Sequence, residues 1–224
     1  MPSAPPKSTI RVPGRKGARS KGADTTFAFT VRAASDQRHT VIPCSPRDLT
    51  AATEPDRPIL VMIGRNAVDY EAILRVLAAF EREGVTYAIF GAAALNLHGL
   101  ARFTEDLDVF VEPTRDNIDH LKAALRSVYA DPHLDEISAD DLLGDYPAVQ
   151  YVPPAGVFHI DLLTRLGDAF QFEDLEVVRL PLGPLTVSVV SPRTLYLMKR
   201  DTVRLKDRAD AELLKSRFNL DEDR

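Results

Sequence analysis

The sequence has a single cysteine, Cys44, in 224 residues. One thiol makes neither an intrachain disulfide nor a Cys-based zinc site, so stability must come from a hydrophobic core, and the composition suits a reducing cytoplasm. Long apolar runs are also missing. Nowhere do about 18 apolar residues follow one another, the length a membrane-spanning helix requires, so no membrane association is expected. The N-terminus lacks the apolar stretch of a secretory signal, and no segment repeats.

The chain is 45% hydrophobic and long enough for one sizeable core, or a smaller core with a second subdomain. Its charge is uneven. Residues 1–60 hold ten Lys/Arg against five Asp/Glu, whereas residues 61–224 hold 18 against 28. The first 22 residues carry six basic side chains, no acid, and Pro, Gly and Ser throughout. Such a segment buries too little apolar surface to offset its ordering entropy and reads as a disordered tail. Its composition fits a solvated tail, a polyanion-binding tail and a transit peptide alike. Residues 24–65 are irregular, broken by Pro43, Pro46, Pro55 and Pro58, with a weakly alternating strand candidate at Thr25–Ala34. The expected organisation is a basic, mostly disordered extension over residues 1–60 and one folded domain over residues 61–224.

From Asn66 the periodicity turns helical: Tyr70, Ile73, Leu74, Leu77 and Phe80 form one stripe, and Gly84 is placed to end it. A short apolar run, Tyr87–Phe90, stops at Gly91, and a small-residue helical segment leads to a second strand over Asp106–Val111. Pro113 closes that strand, and Thr114 can cap a helix that buries Ile118, Leu121, Leu125 and Val128. Two hairpins follow, Ala148–Val152 with Val157–Leu163, and Leu175–Leu180 with Leu185–Val190. Ser191-Pro192 then starts a helix expected to run to about Arg204. The alternation of strands and helices predicts an α/β (α+β) fold: a mixed sheet with flanking helices, a C-terminal helical pair and a disordered N-terminal tail. The acids from Asp131 to Asp145 match no calcium loop and read as solvated surface around a short helix capped by Ser138.

Within the strand at Asp106, side chains alternate between faces, so Asp106 and Asp108 share one face while Leu107 and Val109 enter the core. Two adjacent carboxylates repel, and a site that keeps both ionised usually holds a hard divalent cation. Gly91 permits a sharp turn, and the N–H groups of the following helix would suit a phosphate. Asp161, flanked by apolar neighbours in Val157–Leu163, is costly to bury without a partner. The sensible partner is the cation at Asp106 and Asp108. His159 shares its face and reads more readily as a hydrogen-bonding side chain than as a ligand.

Gly91 followed by Thr104-Glu-Asp106-Leu-Asp108 resembles the signature of the nucleotidyltransferase superfamily of DNA polymerase beta type. The wording GAAALNLHGLARFTEDLDVFV is most similar to the bacterial branch that holds the AbiEii abortive-infection toxins and the related MenT toxins. That resemblance spans roughly residues 68 to 215. It implies a nucleotidyl-fold enzyme that moves a nucleoside monophosphate from a nucleoside triphosphate to an acceptor, with Asp106, Asp108 and Asp161 as catalytic carboxylates holding a two-magnesium site. It further implies that Gly91, Ala92 and Thr104 lie beside the triphosphate, and that Lys199 binds phosphate with Asp207 next to it, since K…R-x-K-D-x-x-D resembles the branch's last motif. One departure stands out: members commonly carry Gly or Ser where this chain has Ala92, so a serine hydroxyl bond to phosphate is lost and the backbone N–H remains. The implied acceptor is tRNA and the implied partner a cognate antitoxin. Transfer to a protein or small-molecule (antibiotic) hydroxyl, and a non-catalytic nucleotide-binding module, are the competing readings; three retained carboxylates speak against the last.

Overall fold

The computed structural model describes residues 9–11, 67–104, 106–144, 147–154 and 158–220. In chain order, its regular elements are strand β1 (Thr9–Arg11), helix α1 (Ala67–Glu83), β2 (Tyr87–Ile89), α2 (Gly91–Leu97), β3 (Asp106–Val111), α3 (Arg115–Val128), α4 (Ala139–Leu143), β4 (Ala148–Val152) and β5 (His159–Leu163). Then come the small β6 (Arg165–Leu166) and β7 (Phe170–Gln171), the hairpin β8 (Val177–Leu182) and β9 (Leu185–Val190), and helices α5 (Pro192–Arg200) and α6 (Leu205–Phe218). Seven strands form one mixed sheet in the order β1-β4-β5-β3-β2-β9-β8. Strand β3 lies at its centre, parallel to β5 and antiparallel to β2, which in turn runs parallel to β9. No helix among the described residues is long and apolar enough to cross a membrane.

The core covers one face of this sheet, where Leu107 and Val109 of β3 and Ile160 and Leu162 of β5 are buried, and extends onto part of the other, where Phe110 of β3 and its partner Ala88 of β2 are fully buried. Ile73 and Leu77 of α1 line a small cavity together with Leu107, and α1 packs in turn against α3. Of the predicted α1 stripe, Tyr70, Ile73, Leu77 and Phe80 are buried and Leu74 is partly buried, and Val76 joins them fully enclosed. Local signals behave as expected: the hydroxyls of Thr114, Ser138 and Ser191 each accept backbone N–H bonds at the start of α3, α4 and α5. Buried Asn117 ties two loops together, accepting from Thr86 N–H at 2.7 Å and donating to the carbonyls of Thr86 at 2.9 Å and Glu112 at 3.1 Å. A staple of this kind fixes how β2 and β3 enter the sheet, and so where the face opposite the core sits.

Several expectations need correction. The helix from Pro192 ends at Arg200, and the Thr202 hydroxyl bonds the Lys199 carbonyl in the turn before α6. Pro181 was expected in a loop but lies inside β8, opposite Thr186. An edge strand tolerates a residue without an N–H, and β8 is the last strand of the sheet, turning at Gly183 with φ 55°. The acidic segment is not all solvated: Asp131 is buried and accepts the Tyr151 hydroxyl at 2.9 Å, while Asp135 pairs with Arg126 and Asp140 with Arg115. Within the mostly disordered extension, Thr9–Arg11 departs from that reading by pairing antiparallel with β4, whose backbone would otherwise form an open edge. The remainder of that extension, including the strand candidate at Thr25–Ala34, lies outside the described residues.

Candidate active site

The parallel register of β3 and β5 sets Asp106 opposite His159 and Asp108 opposite Asp161. Facing residues of paired strands project to the same side, so all four side chains share the sheet face opposite Leu107. Asp161 is buried, and Gln150 of β4, its antiparallel partner, donates from Nε2 to Asp161 Oδ1 at 2.9 Å. Nδ1 of His159 lies 3.2 Å from Oδ1 of Asp106.

Asp108 is the most perturbed of the three carboxyls. Burial, and then the charges of Asp161 and Asp106, push it up to about 7, against the opposing pull of Lys199 and the Ala92 N–H. Burial raises Asp161 as well, and the Asp106 charge adds to this, while the Gln150 hydrogen bond and His159 work against it. Among the described residues no three His, Cys, Asp or Glu side chains converge in a ready-made metal cage. Asp106 is turned to His159 and Asp161 to Gln150. The electrostatics nonetheless fit a cation: three carboxyls repel one another on one face, and a divalent ion among them would relieve both that repulsion and the burial cost of Asp108.

Gly91 is held tightly against this group. Its φ is 65°, and a Cβ at that position would stand 2.0 Å from Asp108 Oδ2. Two separate constraints thus demand glycine: left-handed backbone and close approach. The Ala92 N–H, all that remained for phosphate after loss of the serine, donates to the Asp108 carboxylate in this state. Thr104 is buried, with its hydroxyl donating to the Asp106 carbonyl at 3.0 Å and accepting the Asp106 N–H at 3.2 Å. It therefore shapes the start of β3, and its hydroxyl is committed to backbone rather than turned toward a ligand.

The break between α5 and α6 folds the last helix back on α5. Lys199 Nζ donates to Asp207 Oδ1 at 2.7 Å and to Asp210 Oδ2 at 3.1 Å, and the lysine side chain is only 12% exposed. Arg102 Nε lies 3.0 Å from the other Asp210 oxygen. Arg200 points elsewhere, paired with Asp201 at 3.1 Å and lying 5.7 Å from the Tyr196 ring centre. Lys199 therefore belongs to the carboxylate site electrostatically, while its neighbour is a surface residue. Asp210 and Gln150 are the partners that sequence reasoning passed over. Asp210 is the last letter of the quoted K-D-x-x-D run and sits three residues after Asp207, on the same helix face. Gln150 carries no signal in its own neighbourhood.

A family model described as nucleotidyl transferase AbiEii toxin, type IV toxin–antitoxin system, matches residues 73–218. The chain belongs to the AbiEii family. It is accordingly a nucleotidyltransferase, an enzyme that transfers a nucleoside monophosphate, from the toxin side of such systems. Solved structures similar to this AbiEii chain include the antibiotic-resistance factor ANT(2'')-Ia in complex with adenylyl-2''-tobramycin, at 14% identity and TM-score 0.45 over 68% of this chain and 90% of that one. Another is an antigenic nucleotidyltransferase-like protein from Paracoccidioides brasiliensis, at 19% identity and TM-score 0.39 over 67% and 77%. A comparison with curated protein sequences gives no match.

Proposed function

We propose that this AbiEii chain transfers a nucleoside monophosphate from a nucleoside triphosphate to a tRNA hydroxyl, depends on magnesium, and acts in the cytoplasm as a toxin restrained by a cognate antitoxin. The observation that carries the reading is the row of carboxyls, Asp106, Asp108 and Asp161, on one sheet face, with Asp108 raised to about 7 by burial and by its two acid neighbours.

Asp106 and Asp108 would hold the ions, joined by Asp161. Magnesium, when bound, would stabilise the negative charge that develops on the attacking and departing oxygens. The chain's own residues do the rest. A cation held by Asp108 would take over the role of the Ala92 N–H, leaving that donor and the Gly91 turn to face a phosphate oxygen. Lys199, held by Asp207 and Asp210 between two helices, supplies positive charge at the triphosphate without ordering cost at the moment of reaction. Asp161, raised by burial and fixed by Gln150 through one oxygen, is suited to take the proton of the acceptor hydroxyl. Thr104 contributes by setting the backbone of Asp106.

The test is incubation with each labelled nucleoside triphosphate, magnesium and total cellular RNA or protein. Label is expected in tRNA, to be abolished by a chelator and by Asp106→Ala. Label in protein alone would replace the acceptor, and no transfer with any triphosphate would refute the reading.

A further inference from the structure

The carboxylate face has one uncharged polar member from β4. Along that strand Val149 and Tyr151 turn into the core, while Ala148, Gln150 and Val152 turn to the other face, so Gln150 is the single polar side chain that β4 brings to the site's side of the sheet. It stands against Asp161. The two residues are register partners, and Gln150 Nε2 donates to Asp161 Oδ1 at 2.9 Å. Among the described residues no other hydrogen bond reaches the Asp161 carboxyl, so Oδ1 is held and Oδ2 is left to the site. Strand pairing also fixes the backbone of Gln150 on both sides, against Asp161 in β5 and against Arg11 in β1.

We propose that Gln150 is a positioning residue for nucleotidyl transfer, holding one oxygen of Asp161 so that the other is the one offered to the metal ion and the acceptor hydroxyl. This rests on the transferase reading of the site and deepens it. A carboxyl group turns easily about its last bond, whose energy wells are broad. An amide anchored between two strands removes that freedom before substrate arrives, and a displacement of about 1 Å in a reacting group can cost on the order of a hundredfold in rate. The choice of side chain fits the task. A glutamate of equal length would add a fourth negative charge to a face where three carboxyls already repel one another, and an apolar side chain would leave buried Asp161 without its donor.

Gln150→Met keeps the length of the side chain and removes the donor. With saturating nucleoside triphosphate, magnesium and total cellular RNA or protein, whichever the wild type labels, its kcat is expected to fall on the order of ten- to a hundredfold, the usual cost of losing a partner that orients a metal-binding carboxylate. KM for the triphosphate should stay at the wild-type value, because the Gly91 turn and Lys199 are untouched. The metal-free protein is also titrated with Mn2+, which takes oxygen ligands and is followed by its spin resonance signal. Gln150→Met should weaken Mn2+ binding by a similar factor, yet change nothing further when added to Asp161→Asn, since its effect passes through that carboxylate. A substitution that only loosened the fold would act in both backgrounds. Wild-type kcat in Gln150→Met, or an equal loss of Mn2+ affinity in the Asp161→Asn background, overturns the positioning role and leaves the transferase reading intact. Should Gln150→Met fail to fold, Gln150→Val, a strand former that also lacks a donor, is judged by the same measurements. A wild-type protein that labels nothing and binds no Mn2+ overturns both.

Discussion

The carboxyl of Asp108 lies against the Gly91 turn with Asp106 and Asp161 on the same face, and burial together with those charges pushes it up to about 7. A folded-state value above the ordinary 3.8 means that the native protein retains a proton the unfolded chain gives up. Stability from this group is thus complete below about 4 and is lost as pH rises through about 7. Two consequences can be measured. Divalent-ion affinity should strengthen as pH rises through about 7, since only the ionised carboxylate is a ligand. Asp108→Asn should abolish transfer, yet raise the melting temperature of the metal-free protein at pH 8 by roughly 5 °C while leaving it unchanged near pH 4. Parallel melting curves for the two proteins at both pH values would show that Asp108 is an ordinary exposed acid.

At the scale of elements, the interruption between α5 and α6 decides what Lys199 can do. Had the helix continued to Arg204, Asp207 would lie two turns along the same cylinder instead of 2.7 Å from the Lys199 ammonium. Folding back places two carboxylates around one cation, and Arg102 from the loop before β3 shares the second of them. Lys199→Ala should therefore weaken nucleotide binding on the order of ten- to a hundredfold, the worth of one charge-assisted phosphate contact. It should also lower the melting temperature, because Asp207 and Asp210 lose their shared cation. Arg200→Ala, at an exposed side chain paired with Asp201 and lying over the Tyr196 ring, should change neither by much. Matched nucleotide titrations at constant ionic strength compare the two, and equal small effects would leave Lys199 as a purely structural residue.

The molecule is built on a seven-stranded sheet, and among the described residues β1 is the part contributed from far along the chain. Three residues, Thr9–Arg11, pair with β4 and cover an edge that lies two strands from β3. Among the described residues, the buried apolar cluster draws its members from Tyr70 onward. A chain lacking residues 1–60 should therefore still fold cooperatively, with a melting temperature lower by about 2–4 °C for each kcal/mol of lost pairing. The bared β4 edge should promote concentration-dependent association. Calorimetry with light scattering checks both; loss of the cooperative transition would mean that the extension is part of the core.

How far the sequence reached depended on the range of the interaction. Alternation along one strand was enough to put Asp106 and Asp108 on a common face, an acid among apolar neighbours marked Asp161, and hydroxyls four residues ahead of a buried apolar side chain marked the starts of α3, α4 and α5. All of these are contacts between residues a few positions apart, governed by backbone periodicity and terminal N–H groups that local spacing records. The partners of the site residues obey no such spacing. Gln150 meets Asp161 because of one hairpin register, His159 meets Asp106 because β3 and β5 run parallel, and Arg102 reaches Asp210 across 108 positions because α6 folds back. Register and helix breaks are chosen by the packing of the entire core, which no window of the sequence contains. The sequence by itself determined which residues carry charge and on which face; tertiary structure decided which charges meet.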